Sequence, residues 1–164
     1  MHGVDGGHRV PAVRQTGREM VLWPGFCVVH EQFTARKLLK LKRQYPDAQL
    51  IAHPECEQSV LDMADYIGST NQLINHVVQT TDVAEFIVAT EMGVMHQMRK
   101  QRPGVKVIGA EPDSGCECAV CPYMRLNTME KLYLALRDLQ PEITVPEEIA
   151  KRAILPIERM LALG

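Results

Sequence analysis

Three of the five cysteines in this chain lie within six residues of one another, at Cys116, Cys118 and Cys121. Nothing in the sequence indicates secretion, so a disulfide is not expected. Thiols this crowded in an intracellular protein favour a metal ion or an iron–sulfur cluster. Their C-x-C-x-x-C spacing lacks a second C-x-x-C or H-x-x-x-H pair, which makes a zinc finger a weak interpretation. Cys27 lies far upstream, after a Trp-Pro-Gly-Phe turn. A lone cysteine is more often a buried apolar residue, but this position at a strand end favours a thiolate.

A second group of chemically versatile residues is His53-Pro54-Glu55. The proline restricts the turn, so the histidine and the carboxylate can be aimed at the same place. Such a pair is suited to moving protons, although a hydrogen-bonded structural pair is the alternative. Further on, Gly68-Ser69-Thr70 either ends one helix and starts the next, or uses its hydroxyls and amides to hold a substrate carboxylate.

Composition describes an ordinary globular protein of 164 residues with 46% hydrophobic residues. A net charge of −2 gives no electrostatic argument for binding nucleic acid or an anionic membrane, so neither is an expected partner. No apolar run approaches the roughly 20 residues of a membrane span, and the first eight residues lack the apolar core of a signal peptide. The predicted location is the cytoplasm.

Short apolar runs alternate with segments of helical periodicity along the chain. The strand-like runs are residues 19–23, 49–52, 85–89 and 105–109, and the helical segments between them are 34–45, 58–67, a short helix capped by Ser69 or Thr70, and 94–102. This alternation predicts a three-layer α/β/α domain with about four parallel strands. Two further helices follow the cysteine turn. His76 and His96 fall on predicted helix surfaces, where we expect them to be solvated.

The predicted strand ends bring the candidate residues to one edge of the sheet. The first strand ends near Cys27 and His30, the second at residues 53–56, and the third at residues 90–91. The fourth leads into the cysteine cluster. Because sites in open parallel sheets form at the carboxyl ends of the strands, we expect these residues to lie close together.

Five segments, taken in order, resemble quinolinate synthase: residues 23–30, 52–56, 68–70, 89–91 and 121–127. Each segment alone is weak evidence, and the specificity lies in the combination, which runs from about Thr16 to the C-terminus. The resemblance implies condensation of iminosuccinate (iminoaspartate) with dihydroxyacetone phosphate to quinolinate, in de novo NAD biosynthesis. It also implies a fold of three pseudo-symmetric α/β/α domains around a 4Fe–4S cluster. Three cysteines hold that cluster and leave one iron open to substrate, as a Lewis acid.

The resemblance also assigns roles to individual thiols. Cys27 matches the second cluster cysteine of the family, and Cys121, which precedes a proline, matches the third. Cys116 and Cys118 then need not be ligands, and Cys56 is not expected to be one.

The substrate-binding residues implied by the resemblance are His53, Pro54, Glu55 and Thr70. His53 and Glu55 match the acid/base segment and are the predicted catalytic residues. Thr70 matches a residue that contacts a substrate carboxylate.

Counterparts of the family's first two domains, which supply the first cluster cysteine and further substrate contacts, are not recognised in this chain. We therefore predict an irregular remnant of a preceding domain at residues 1–18 and a C-terminal synthase domain with a helical extension at 19–164. The candidate partners are the missing N-terminal domains or an L-aspartate oxidase. Three hypotheses remain: a synthase portion active with those domains, an inactive remnant, or an independent metal or iron–sulfur module using the three clustered cysteines.

Overall fold

Four parallel strands form one sheet in the computed structural model, which describes residues 27–110 and 119–163. The strands are β1 (Gln49–Ala52), β2 (Tyr66–Ile67), β3 (Glu85–Ala89) and β4 (Lys106–Gly109), in the spatial order β2-β1-β3-β4. Ile51 pairs with Val88, and Val88 with Gly109, so β1 and β4 flank the central β3. The predicted α/β class with about four parallel strands is confirmed. The predicted strand at 19–23 lies outside the described residues.

Helices cover both faces of the sheet, as a three-layer arrangement requires. The helices beside the sheet are α1 (Ala35–Gln44), α2 (Gln58–Leu61), α3 (Thr70–Gln79) and α4 (Met92–Gln101). Leu50 and Ile87 pack in one apolar cluster with Leu38 of α1. Their strand neighbours Ile51 and Phe86 pack in a second cluster, with side chains of α3 and α4. Strands buried on both faces read as continuous apolar runs, which is why the sequence located them.

Two helices begin where local side-chain chemistry satisfies the free amides of a helix N-terminus. At α3, Ser69 and Gln72 form a capping box, in which each side chain accepts a hydrogen bond from the other residue's backbone N–H. At α4, the Glu91 carboxylate accepts from the Gly93 N–H at 2.6 Å. Both helices start directly after a strand, so their N-termini lie at the carboxyl edge of the sheet.

The predicted helix over residues 58–67 is wrong in its second half. The helix ends at Leu61, and Tyr66–Ile67 instead forms the edge strand β2 beside β1. Asp65 explains the switch, because its carboxylate accepts from the Leu50 N–H at 2.7 Å while its own N–H donates to the Leu50 carbonyl at 2.7 Å. These two hydrogen bonds hold the segment that follows Asp65 beside β1. It therefore pairs as a strand, although its sequence has helical periodicity.

A second compact unit begins after Pro122 and covers residues 123–164. It contains a 3₁₀ turn at Met124–Leu126 and the helices α5 (Met129–Asp138) and α6 (Glu147–Leu161), so the two predicted C-terminal helices are confirmed. Many of its large apolar side chains are exposed, among them Leu136 and Ile149 at 69% and 58%. Of the helices described, none combines the length and the apolar character needed to cross a bilayer. The predicted domain boundary at residue 18 stays a prediction.

His76 is only partly exposed, whereas the sequence predicts a solvated side chain. Its ring stacks on Tyr66 with centroids 3.9 Å apart, and its Nε2 lies 2.9 Å from Oε1 of Gln49. The prediction missed this contact because Tyr66, whose ring faces His76, belongs to β2, a strand that the sequence pattern did not predict. Burial disfavours the imidazolium and lowers the pKa of His76. His96 is exposed on α4, as predicted.

The lowered pKa of His76 predicts a loss of stability in acid. The unfolded chain binds more protons than the folded chain once the pH falls below about 6.5, so the free energy of unfolding decreases from there downward. His76→Gln removes one such group, and its melting temperature should therefore fall less between about pH 8 and about pH 5. His96→Gln is the matched control and should follow the unsubstituted chain. If the melting temperature of His76→Gln fell in acid as much as that of the unsubstituted chain, His76 would not contribute to the pH dependence of stability.

Candidate active site

Four polar side chains meet at the carboxyl ends of β1 and β3: His30, His53, Glu55 and Thr90. His53 follows β1 directly and Thr90 follows β3 directly, and the His53 N–H donates to the Ala89 carbonyl at 3.2 Å. His30 begins a 3₁₀ turn, His30–Gln32, that precedes α1. The sheet order places β1 beside β3, so residues far apart in the sequence become neighbours.

His30 is the buried centre of this group. Its Nδ1 lies 2.9 Å from Oε2 of Glu55, and its Nε2 lies 3.1 Å from Oγ1 of Thr90. An ionised carboxylate only accepts hydrogen bonds, so neutral His30 carries its proton on Nδ1 and accepts from the threonine hydroxyl at Nε2. Burial and then the neighbouring His53 lower the pKa of His30, against the opposing effect of Glu55.

His53 stacks on His30, with ring centroids 4.3 Å apart and planes within 5°. Its Nδ1 accepts from the Glu55 backbone N–H at 3.3 Å, so the neutral ring carries its proton on Nε2. Burial lowers the pKa of His53, while Glu55, whose Oε2 lies 3.6 Å from Nδ1, acts in the opposite direction. Neutral His53 therefore has a fixed tautomer near neutral pH.

Glu55 is the accessible member of the group. Its side chain is 51% exposed, against 8% for that of His30. A turn through Pro54, closed by the Cys56 N–H to the His53 carbonyl at 3.0 Å, aims the carboxylate back toward the two rings. The predicted role of the proline in shaping this turn fits the geometry. A carboxylate that is open to solvent, bonded to one imidazole and close to a second is suited to exchanging protons with a ligand.

Cys27 lies beside this group. One ligand atom each from Cys27, His30 and Glu55 falls within 4.8 Å of the others. Cys27 and Cys121 are both free thiols, partly buried, that pack against the same apolar cluster. The segment carrying Cys121 is tied to the start of α4 by the Met92 N–H, which donates to the Ala119 carbonyl at 3.0 Å. Cys121 therefore lies two residues from an anchor at the carboxyl edge.

The other cysteines differ from these two. Cys56 is buried, its thiol lies 3.5 Å from the Ala89 carbonyl, and burial raises its pKa to about 12. It stays a protonated thiol at neutral pH, which fits the expectation that it is not a ligand. Cys116 and Cys118 lie outside the described residues.

Thr70 is placed one strand away from the histidine group. It is the exposed first residue of α3, and the Gly68 N–H donates to the Ala52 carbonyl at 3.2 Å. The N-terminus of α3 thus lies next to the end of β1. In the part of the chain that the structure describes, no hydrogen bond joins Thr70 to His53 or Glu55, so its hydroxyl is open to a ligand.

Two members of the group, His30 and Thr90, were located by the sequence at strand ends but given no role. His30 is 6% exposed, and Thr90 is 2% exposed. The sequence placed both at strand ends and within segments that resemble quinolinate synthase, but the partners of His30 lie 25 and 60 residues away along the chain. Two polar side chains this deeply buried and paired with each other indicate a site built around His30.

A parallel α/β sheet whose carboxyl edge gathers a thiol, two imidazoles and a carboxylate defines a protein with a metal-binding or acid–base site. The chain matches the model of one protein family, described as NadA: Quinolinate synthetase A protein, over residues 10–162. It is 54% identical over 151 residues to the quinolinate synthase of Microcystis aeruginosa, an alignment that covers 92% of this chain and 47% of that protein. Against the quinolinate synthase of Synechocystis sp. the identity is 54% over 152 residues, covering 93% and 48%.

The chain therefore belongs to the quinolinate synthetase A family. The resemblance drawn from the five segments is confirmed, including its match to the C-terminal portion of a synthase. The chain spans about half the length of the curated relatives it matches.

Proposed function

We propose that this chain is the part of a quinolinate synthase that carries the acid–base residues and two cluster cysteines. In this proposal the assembled enzyme condenses iminosuccinate with dihydroxyacetone phosphate to quinolinate, in the de novo biosynthesis of NAD in the cytoplasm. The observation that carries the proposal is the grouping of Cys27, His53 and Glu55 at one sheet edge, in a chain of this family.

The thiols of Cys27 and Cys121 are suited to be two of the three cysteine ligands of a 4Fe–4S cluster. Cys27 and Cys121 are free, partly buried and packed on one apolar cluster, whereas Cys56 is buried and protonated. A cluster bound there supplies an open iron that acts as a Lewis acid on a substrate oxygen or nitrogen. The third thiolate comes, in this proposal, from the remaining half of the synthase.

Glu55 and His53 move protons in the proposed reaction. Condensation needs a base that removes a proton from carbon, and ring closure with loss of water needs an acid that protonates a departing oxygen. The Glu55 carboxylate is open to solvent and can take the proton, while the Nε2–H of His53 can donate one. Pro54 holds the two side chains in the turn that brings them together.

Thr70 binds a substrate carboxylate in this proposal. Its hydroxyl is exposed at the first residue of α3, where the helix dipole favours negative charge. The site then has its acid–base pair at the end of β1 and its anion-binding group on the neighbouring helix.

The proposed partners are the remaining domains of a synthase, with an L-aspartate oxidase as a further candidate. Exposed apolar side chains on α5 and α6 are of the kind that a folded partner covers. An inactive remnant is the competing hypothesis, and it shares the fold but not the activity.

Co-expression tests the proposal directly. The chain is produced with the N-terminal half of the Synechocystis relative, purified without oxygen, and assayed for iron, sulfide and quinolinate. We expect four iron and four sulfide per assembled pair and quinolinate formation only when both halves are present. A stable pair that holds the cluster but makes no quinolinate would favour the inactive remnant. Quinolinate made by the isolated chain would contradict the need for a partner.

A further inference from the structure

We propose that this chain, separate from any iron–sulfur cluster, binds a single zinc ion through Cys27, His30 and Glu55, with Thr90 orienting the histidine ligand. This goes beyond the proposed function, because it needs one thiol of the chain instead of three shared between domains. It also differs from the predicted module of clustered cysteines, since it uses only one cysteine.

The three ligand atoms lie near one another, although not yet at the separations of a tetrahedral zinc site. Their mutual separations are all within 4.8 Å, and Nδ1 of His30 is 2.9 Å from Oε2 of Glu55. Zinc bonds of about 2.0–2.1 Å to nitrogen or oxygen and about 2.3 Å to sulfur require ligand separations of roughly 3.3–3.6 Å. The imidazole and the carboxylate must therefore move apart by about 0.4 Å, and the Cys27 sulfur must come to within about 3.6 Å of both. The half-exposed Glu55 side chain has room for that movement.

The ligand types favour zinc over an alkaline-earth cation. A thiolate, an imidazole and one carboxylate form a mixed donor set of borderline softness, whereas magnesium and calcium prefer oxygen alone. Three protein ligands leave the fourth tetrahedral position to water. Such an open position distinguishes catalytic zinc sites from closed structural ones.

Thr90 provides the outer contact that metal-binding histidines normally make. Zinc at Nδ1 displaces the proton of that nitrogen, and the neutral ring then carries its proton on Nε2. The Thr90 hydroxyl, 3.1 Å from Nε2, turns from donor to acceptor and keeps the ring in place. The thiol proton of Cys27 leaves to solvent when the sulfur binds.

His53 fixes the plane of the histidine ligand. The two rings are parallel within 5°, and both His30 and Thr90 are buried, so the imidazole has little freedom to rotate. A ligand already held in its bound orientation loses little conformational entropy when the metal binds. The histidine ligand is therefore oriented before zinc arrives.

Metal titration of the full chain tests this site. The chain is treated with a chelator, reduced, and titrated with zinc against a chromophoric competitor. We expect one zinc per chain, with binding weakened at least about 100-fold in Cys27→Ser and about 10-fold in Glu55→Gln. Cys121→Ser should bind zinc as the unsubstituted chain does. That control separates the site from an iron–sulfur cluster, which in the proposed function needs both thiols.

The role of Thr90 is tested by a pair of variants. Thr90→Val keeps the shape but removes the hydroxyl, and should weaken zinc binding by about 10- to 100-fold. Thr90→Ser restores the hydroxyl and should restore the affinity. Cobalt in place of zinc should give a thiolate-to-cobalt absorption band that Cys27→Ser abolishes and Cys121→Ser retains.

Several results would overturn the proposal. These are no zinc binding by the folded chain, unchanged affinity in Cys27→Ser, or loss of affinity in a Cys116→Ser, Cys118→Ser double variant. Circular dichroism of each variant shows whether a loss of zinc affinity reflects unfolding. Glu55→Gln gives a second test of the ligand set, and because its side chain is half exposed it should not disturb the core. Failure here leaves the proposed synthase function standing, because that function is judged by quinolinate formation with the partner half.

Discussion

Cys27→Ala is expected to abolish both the 4Fe–4S cluster and quinolinate formation when the chain is paired with the N-terminal half of a synthase. This substitution removes one of the three cysteine ligands of the proposed cluster, and no other thiol among the described residues can take its place. In the proposed function Cys121 is already another cluster ligand, and Cys56 is buried with its pKa raised to about 12. Iron and sulfide analysis after anaerobic purification measures the loss, with quinolinate formation as the second readout.

Cys56→Ala is the matched control for this experiment. Its side chain is in the core, 2% exposed, and its thiol contacts only the Ala89 carbonyl among the described hydrogen bonds. The variant should keep its iron, its sulfide and its activity. A full complement of iron and sulfide in Cys27→Ala would remove this residue from the proposed ligand set.

The second large effect is expected from Glu55→Gln in the same paired enzyme. The amide keeps the shape but cannot take up a proton, so kcat/KM should fall by about 10²- to 10⁴-fold. This corresponds to about 2.7–5.5 kcal/mol of lost transition-state stabilisation. The visible absorption of the cluster should be retained, because Glu55 is not a cluster ligand in the proposed function.

Glu57→Gln separates proton transfer from a general effect of lost charge. Glu57 is also exposed, lies two residues further along the chain, and its side chain makes no capping bond to α2. Its substitution should leave kcat/KM within about twofold of the unsubstituted value. Equal losses in the two variants would mean that Glu55 acts only through local charge.

The two experiments examine different parts of the same sheet edge. Cys27 and Glu55 both lie near His30. Cys27→Ala should remove the iron–sulfur cluster, whereas Glu55→Gln should lower activity and leave the cluster in place. The zinc titration adds a third distinction, because it depends on Cys27 and Glu55 but not on Cys121. The three sets of variants therefore separate cluster assembly, proton transfer and mononuclear metal binding.

The sequence by itself determined most of the secondary structure beside the site. The strands at 49–52 and 85–89 have the predicted bounds, because strands covered on both faces need unbroken apolar runs. The helix after Ser69 starts where the sequence predicts, at one of the two residues expected to cap it. The sequence also predicted that the strand ends carry the chemistry, since parallel strands present their carboxyl ends at one edge.

Tertiary structure alone decided which of these residues touch. Strand β2 forms because Asp65 binds the backbone of Leu50, a contact that helical periodicity does not encode. His30 reaches Glu55 and Thr90 only because β1 lies next to β3, and neighbouring order in a sheet is set by the packing of the whole domain. Residue types and local patterns thus located the chemistry at the sheet edge, while long-range strand pairing selected His30 as its buried centre.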